Sequence, residues 1–361
     1  MTIKEFKLNL IKTIFLFIIF YAVIFYFINI IFITSLLSFL LIEILFGSWL
    51  FKNNFSSIII PRNITKVWNP KHYKSTHSAM YKRDHYGLRG DYKKISDIEI
   101  VAIGGSTTDE RWIDEKLTWT YLLQEELNKK GIKIKIANAG VDGQSTLGHM
   151  YNFDLWFNKI PNFKPKIFLL YIGINDSAVL FRSLNSNKFE QFIYRSDYLV
   201  DIKKTDKFFR FIKNNSYFYK IVKVIIGHRA AKKYNLIHLT ETWENTKTTQ
   251  LFFLTKDART SELLSNYSSR LETLINKIRE FGSDIIVITQ SVKKQNILFN
   301  CLRLINSETK TVCKKKNIKC LPLDEEINFS QNEDFYDDVH TRPVGNEKIA
   351  KYIADNLGKL C

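Results

Sequence analysis

The sequence predicts an α/β fold: a three-layer α/β/α sandwich around a mainly parallel, five-stranded sheet, preceded by one or two N-terminal transmembrane helices. Short apolar runs typical of buried strands alternate with longer segments of helical spacing along the C-terminal two thirds of the chain. This alternation is typical of a parallel sheet with helices on both faces. The N-terminal segment is instead one long apolar stretch, which indicates membrane-spanning structure.

The apolar stretch is long enough for a membrane anchor. It has no charged residue between residues 13 and 42, and apart from Glu43 its apolar character continues to Phe51. Because a spanning helix needs roughly 20 apolar residues, the stretch fits one long helix or a hairpin of two helices turning near Thr34 and Ser35. It is too long for a cleavable signal peptide and lacks a small-residue cleavage site. We therefore expect an uncleaved anchor.

Basic residues flank the apolar stretch on both sides, so the positive-inside rule does not orient it. A hairpin would leave both flanks in the cytosol, whereas a single span would place the C-terminal domain outside. We favour the single span, because Glu43 fits a membrane interface better than the middle of a second span. The expected location is the membrane, with the C-terminal domain on the extracytoplasmic side.

We divide the chain into three parts: the anchor in residues 1–52, a connector in residues 53–96 and a C-terminal domain in residues 97–361. The connector is rich in aromatic and basic residues, and we expect it to drape over the domain. An insertion at about residues 178–254 interleaves basic with aromatic residues. It fits either a solvated helical excursion or a lid that touches anionic lipid headgroups.

Within the C-terminal domain, the apolar runs predict strands at residues 98–103, 132–137, 166–172, 284–289 and 317–321. Helical spacing predicts helices at residues 118–130, 147–159, 262–281, 297–315 and 343–357.

Composition limits the partners. The formal net charge of +17 suits nucleic acid or an anionic membrane surface, but no nucleic-acid motif of recognised spacing occurs, so we expect the membrane and no nucleic acid. The four cysteines all fall in the last quarter of the chain, and none has the short spacing of a zinc site. We therefore expect no metal. A disulfide among the first three would fit an oxidising compartment, and free thiols would fit the cytosol.

Four groups of polar and glycine residues follow the predicted elements in an order that suggests a reaction centre. Because the carboxyl ends of parallel strands share one edge of a sheet, residues that follow three such strands meet there. The groups are Gly104-Gly105-Ser106, Asn138 to Gly143, Gly173 to Asp176, and Asp337 to His340.

These four stretches, in this order, resemble the four signature blocks of the SGNH (GDSL-type) hydrolases. The resemblance spans about residues 98–357 and implies Ser106 as nucleophile, Asp337 and His340 as its catalytic partners, and Gly143 and Asn175 as oxyanion-hole residues. It also implies that no cofactor is needed. The sequence departs from the family at one position, because Gly105 replaces the aspartate that usually precedes the serine.

Elementary chemistry supports the same assignment. A serine hydroxyl needs a base within hydrogen-bond reach, and a neutral histidine suits that task. Asp337, three residues before His340, can accept from its other ring nitrogen, and we prefer it to Asp338, which would point elsewhere.

Negative charge develops on the substrate carbonyl oxygen as the serine attacks, and uncharged hydrogen-bond donors aimed at this oxygen lower the activation barrier. The expected donors are the Ser106 N–H, the Gly143 N–H and the Asn175 amide. Gly140 is the alternative to Gly143, although it could instead serve the turn. Gln290, which follows the fourth strand, is expected to contact substrate.

We therefore expect a membrane-anchored serine hydrolase that cleaves an ester through an acyl-enzyme. An O-acyl group on a cell-envelope carbohydrate or lipid is the expected substrate, because the chain combines an anchor with a basic insertion. Two alternatives stay open: an O-acyltransferase that uses the same residues, and a membrane scaffold without turnover. The sequence assigns no oligomeric state.

Overall fold

The computed structural model describes residues 3–47, 49–50, 60–68, 78–184, 212, 215–233, 257–330 and 332–357. The chain forms two compact units. The N-terminal unit comprises residues 1–56 and 205–224, and the sheet unit comprises residues 57–204 and 225–361. The division predicted from sequence, with boundaries near residues 52 and 96, stays a prediction.

The sheet unit contains a two-stranded hairpin and a five-stranded sheet. The hairpin pairs β1 (Ile64–Trp68) with β2 (Ala79–Arg83) in antiparallel fashion. The strands of the larger sheet are β3 (Ile98–Gly104), β4 (Lys135–Asn138), β5 (Ile167–Tyr171), β6 (Asp284–Ile288) and β7 (Lys319–Leu321). All four pairings in this sheet are parallel, in the order β4-β3-β5-β6-β7. The predicted parallel sheet of five strands is confirmed.

The α-helices of the described residues alternate with these strands. They are α1 (Ile3–Phe46), α2 (Ser106–Asp109), α3 (Trp119–Lys129), α4 (Thr146–Leu155), α5 (Ile174–Leu184), α6 (Tyr217–Lys233), α7 (Ala258–Phe281), α8 (Phe299–Lys316), α9 (Leu323–Glu326) and α10 (Pro343–Leu357).

Strand β3 is apolar on both faces because helices cover both faces of the sheet. Successive strand side chains point to opposite faces. Ile100 and Ala102 pack with residues of α3 and α10, including Leu123 and Ile353. On the other face, Phe168 of β5 packs edge-on against aromatic rings of α4 and α7. The sheet unit therefore has the predicted three layers.

Several elements of the described residues were not predicted from sequence, among them the short helices α2 and α9. The hairpin β1–β2 lies within the expected connector, and α5 begins at Ile174 and continues to Leu184, beyond the residue at which the insertion was expected to begin. Most of the expected insertion lies outside the described residues. Helix α7 begins four residues before its predicted start, because the Asp257 side chain caps its N-terminus by accepting from Thr260 N at 2.7 Å.

In the N-terminal unit, α1 is a continuous helix of 44 residues. Its part from Lys12 to Phe46 is long and apolar enough to cross a membrane. The helix does not turn at Thr34, whose hydroxyl donates to Ile30 O one turn earlier at 2.8 Å. The single-helix alternative is the one observed, and the hairpin is not.

Candidate active site

Ser106 lies where β3 ends and α2 begins. The two residues before it are glycines at positions where neighbouring atoms leave no room for a side chain. A Cβ at Gly104 would overlap Tyr171 O of the next strand, and a Cβ at Gly105 would overlap the Asn175 amide nitrogen. Gly105 therefore lets Asn175 approach the backbone beside Ser106. This contact gives a physical reason for glycine at the position where the family pattern has aspartate.

The structure brings Ser106, His340 and Asp337 into one hydrogen-bonded chain. Ser106 Oγ lies 2.7 Å from His340 Nε2, and His340 Nδ1 lies 2.7 Å from Asp337 Oδ2. With Asp337 accepting from Nδ1–H, the lone pair on Nε2 faces the serine hydroxyl. These residues are 234 positions apart at their extremes, and the predicted shared edge of the sheet brings them together.

Asp337 is well prepared to stay ionised. Burial alone would raise its pKa, but the His340 charge and hydrogen bond and the backbone N–H groups of Val339 and His340, at 2.7 and 2.6 Å from Oδ1, hold the pKa at about 2. Asp338 instead faces Lys293 at 4.0 Å. Of the two candidate carboxylates, Asp337 is the one that contacts the histidine.

His340 is buried, with 7% of its surface exposed. Burial by itself lowers its pKa, but the Asp337 carboxylate more than offsets this and leaves the pKa above its ordinary value. The Tyr336 ring stacks on the imidazole, with the centroids 5.5 Å apart and the planes at 13°. The imidazole is therefore held in place from its ring face as well as through Nδ1.

Asn175 and the loop that carries Gly143 lie together beside Gly105. The Asn175 amide nitrogen donates to Gln144 O at 2.8 Å, which occupies one of its two hydrogens. Gly143 has a φ of 72°, in the left-handed region that favours glycine. The second hydrogen of the Asn175 amide remains for a ligand.

Gly140, the alternative to Gly143, is packed against protein. A Cβ there would overlap the backbone of Thr108 and Asp109, and its carbonyl accepts from Arg83. Its environment favours a role in the turn.

Asp176 joins the Gly143 loop to the start of α5. Its carboxylate accepts from the Thr146 hydroxyl at 2.6 Å and from Thr146 N at 3.1 Å, and Arg270 lies 3.5 Å away. Thr146 begins α4, directly after the Gly143 loop, whereas Asp176 belongs to α5. Burial raises the pKa of Asp176, although Arg270 and Thr146 oppose that rise.

Gln290, the residue expected to contact substrate, bonds to two segments of the candidate site. Its side chain is buried, with 1% of the residue exposed. Its oxygen accepts from Ile174 N at 2.7 Å, and its nitrogen donates to Thr107 Oγ1 at 2.7 Å. Both polar groups are thus used to join the Ser106 turn to the start of α5. These bonds give Gln290 a structural role in positioning the two segments, and the substrate contact stays a prediction.

A buried arginine from the hairpin supports the same centre, and sequence reasoning missed it. Arg83 pairs with Asp109 at 2.6 Å, and both side chains are 1% exposed. Arg83 also donates to Gly140 O, Gly87 O and, at 2.6 Å, the Tyr81 hydroxyl. One guanidinium therefore joins the end of α2 to the loop after β4. Despite burial, the charge of Arg83 keeps the pKa of Asp109 below its ordinary value.

A second buried arginine lies beside it. Arg89 pairs with Glu115 at 2.8 Å and donates to the carbonyl oxygens of Asp109 and Glu110. These carbonyls end α2, so Arg89 satisfies acceptors that the short helix leaves open. Among the residues that the structure describes, no group of acidic, histidine or cysteine side chains could hold a metal ion. Cys301, Cys313 and Cys320 are free thiols.

Comparison with known proteins identifies the family. The model of the GDSL-like lipase/acylhydrolase family matches residues 100–353, which is more than half of the chain. No curated protein matches the chain.

Three solved structures illustrate the likeness in fold. Axe2, an acetylxylan esterase from Geobacillus stearothermophilus, is 13% identical, with 72% of this chain and 93% of that chain covered and a TM-score of 0.42. LAE5, an alpha/beta hydrolase from the metagenome of Lake Arreo, Spain, is 12% identical, with 74% and 100% covered and a TM-score of 0.42. TesA is 12% identical, with 73% and 99% covered and a TM-score of 0.43.

At such identities and scores, the assignment rests on the family model. That model covers the Ser106 turn, the segments that carry Gly143 and Asn175, and the Asp337–His340 pair. The chain belongs to the GDSL-like lipase/acylhydrolase family of ester hydrolases.

Proposed function

We propose that the chain is a membrane-anchored serine hydrolase that cleaves an ester through an acyl-enzyme, with Ser106, His340 and Asp337 as catalytic residues. The observation that carries the proposal is the pair of 2.7 Å contacts from Ser106 Oγ to His340 Nε2 and from His340 Nδ1 to Asp337 Oδ2. In this arrangement His340 can take the proton of the serine hydroxyl as the oxygen attacks.

In the first step, Ser106 Oγ bonds to the ester carbonyl carbon while its proton passes to His340 Nε2. Asp337 stabilises the resulting imidazolium, and its low pKa keeps it ionised across the physiological range. His340 then gives the proton to the departing alkoxide oxygen, and the alcohol leaves. Water attacks the acyl-enzyme with His340 again as base, which releases the acid and restores Ser106.

The negative charge on the carbonyl oxygen during both attacks requires donors. The Asn175 amide keeps one hydrogen beyond the bond to Gln144 O, and the backbone N–H groups of Ser106 and Gly143 complete the proposed oxyanion hole. Loss of one such donor typically costs about 3 kcal/mol of transition-state stabilisation. Asn175→Ala is therefore expected to lower kcat by roughly a hundredfold, without the complete loss expected for Ser106→Ala.

We propose the membrane as the location, with α1 as anchor and the sheet unit on the extracytoplasmic side. The support is an N-terminal helix with an apolar segment of 35 residues whose side chains are exposed in the structure. An O-acyl group on a cell-envelope carbohydrate or lipid is the substrate that such a location would supply.

The test is a panel of model esters and acetylated glycans, together with a fluorophosphonate probe, applied to the purified full chain. Ester cleavage and probe labelling that both disappear in Ser106→Ala would support the proposal. Asn356→Ala, which changes an asparagine on α10 instead of Asn175, serves as the control and should retain full activity.

Two other outcomes would each contradict part of the proposal. Acyl transfer to an added glycan with little free acid released would indicate an O-acyltransferase that uses the same residues. A folded protein that neither reacts with the probe nor cleaves any ester would indicate a scaffold without turnover.

A further inference from the structure

The N-terminal unit contains the start of a second helix, α6, which is fixed to α1 through one buried carboxylate. Glu43, in the last turn of α1, is 7% exposed. It accepts hydrogen bonds from the Ser216 hydroxyl at 2.6 Å, Tyr217 N at 3.0 Å and Phe218 N at 3.1 Å. The first N–H groups of a helix have no partner within the helix, and a negative charge there is favourable. Glu43 therefore caps α6 from a different helix.

Aromatic contacts hold the same two helices together on either side of this carboxylate. The rings of Phe39 and Phe218 stack at 4.4 Å with their planes 10° apart, and Phe46 and Tyr217 lie 5.4 Å apart. The indole nitrogen of Trp49 also donates to Glu43 at 2.8 Å. The start of α6 is thus docked on the C-terminal end of α1 by hydrogen bonds and by ring packing.

The length of α1 indicates where that end lies relative to a bilayer. The apolar segment Lys12–Phe46 has 35 residues, which at 1.5 Å per residue is about 52 Å. A hydrocarbon core is about 30 Å thick, so roughly 15 apolar residues extend beyond it. A carboxylate is costly inside the core. Glu43 therefore places the C-terminal end of α1, and the docked start of α6, at the membrane surface.

Apolar side chains that follow the docked start of α6 are exposed to solvent. Ile221 is 37% exposed and Val222 is 49% exposed, and Ile225 and Ile226 repeat the pattern one turn later. The surrounding sequence is strongly basic: residues 207–240 contain eight Lys or Arg and no Asp or Glu. The aliphatic side chains lie in the first half of α6, and the exposed Arg229 follows on the same face two turns after Val222. This order matches a helix whose start enters an anionic interface while its basic second half lies at the headgroups.

We propose that α6 is an interfacial helix, whose Ile221–Val222 face enters the acyl boundary of an anionic bilayer while its basic residues contact the headgroups. This inference rests on the proposed anchoring of α1. It assigns a lipid surface as the partner of α6 and Glu43 as the residue that positions the helix there.

The test uses the full chain in vesicles of phosphatidylcholine and phosphatidylglycerol, with or without bromine on the acyl chains. In a Cys320→Ser, Cys361→Ser background, Val222→Cys carries the environment-sensitive NBD fluorophore. We expect brominated acyl chains to quench roughly half of its emission, as for a group within the acyl boundary. Lys129→Cys, on the surface of the sheet unit, is the aqueous control, and Ile24→Cys reports whether α1 is inserted.

Each outcome decides the inference. Quenching at Ile24 without quenching at Val222 would overturn it while leaving the anchor in place, and would indicate a protein partner for α6. No quenching at either position would refute the anchor and the inference with it.

Two further comparisons test the residues named. Glu43→Ala should reduce quenching at Val222 more than Glu43→Gln, which keeps an acceptor oxygen, while Ile24 stays quenched. Replacing phosphatidylglycerol by phosphatidylcholine should weaken the quenching at Val222. Quenching at Val222 that is equal in both Glu43 variants would remove Glu43 from the positioning role.

Discussion

Glu110, the residue after the nucleophile helix α2, should make folding stability fall as the pH rises. Its side chain is fully buried, and burial raises its pKa to about 8 from an ordinary 4.5, although a hydrogen bond from Trp119 N and the charge of Arg89 oppose the rise. The folded state therefore binds a proton more tightly than the unfolded state. The stabilisation of the fold by protonated Glu110 is therefore complete below about pH 4.5 and is lost as the pH rises through 8.

The magnitude follows from the difference between the two pKa values. One pKa unit corresponds to about 1.4 kcal/mol, so ionisation of Glu110 removes up to about 5 kcal/mol of unfolding free energy by pH 9. Glu110→Gln keeps an oxygen for Trp119 N but cannot ionise. We expect this variant to resemble the wild type at pH 5 and to be the more stable protein at pH 9.

The assay is chemical unfolding of the full chain in detergent between pH 5 and pH 9, followed by tryptophan fluorescence. Comparing the variant with the wild type at each pH removes the contribution of His340, whose raised pKa changes stability in the same direction. Glu262→Gln, which alters an exposed carboxylate on α7, is the matched control and should show a constant difference. A difference between wild type and Glu110→Gln that does not grow with pH would refute the reasoning.

Three further predictions concern the reaction centre. Asp337→Asn should lower the maximal rate by about 10²- to 10⁴-fold. It should also move the acidic limb of the kcat/KM profile to lower pH, because the variant loses the carboxylate that raises the pKa of His340 in the wild type. An acidic limb at the same pH in both proteins would contradict this. Gly105→Ala should displace the Asn175 amide and lower kcat by up to about 10²-fold, with little change in the free energy of unfolding. An unchanged kcat would show that the reaction does not need the Asn175 amide beside residue 105. Arg83→Met should destabilise the fold by about 3 kcal/mol, because the buried Asp109 carboxylate keeps only the longer ion pair with Arg111 at 3.4 Å. Adding Asp109→Asn should restore part of this loss in denaturant titrations, and an equal loss in the double variant would show that the two residues are not coupled.

The repeating parts of the fold could be predicted because their hydrophobic pattern is local. Each predicted strand of the sheet and each predicted helix of the C-terminal domain is present, with differences confined mostly to the ends. The predicted helix at residues 147–159 ends at Leu155 and continues as a short 3₁₀ turn, Phe157–Lys159. Such ends depend on caps and packing, which periodicity does not describe.

The buried charges could not be predicted in the same way. Arg83 and Arg89 lie in a basic, aromatic segment that suggested a connector draped over the domain, and their partners Asp109 and Glu115 are each 26 residues away. Only the folded chain shows that each cation meets an anion. From the sequence, Gln290 could be recognised as a residue that closely follows a strand of the sheet. The direction of its amide, which depends on Thr107 and Ile174, is a tertiary property.

The hairpin has a consequence for exchanging N-terminal segments between enzymes of this architecture. The segment between the N-terminal helix and the sheet also supplies Arg83, whose guanidinium bridges Asp109 and the Gly140 carbonyl beside the Ser106 turn. A generic spacer of equal length would lack Arg83, and the contacts that join Asp109 to the Gly140 carbonyl would be lost. An exchange of the N-terminal segment should therefore preserve activity only when the junction is made before Ile60, so that the hairpin is kept with the sheet unit.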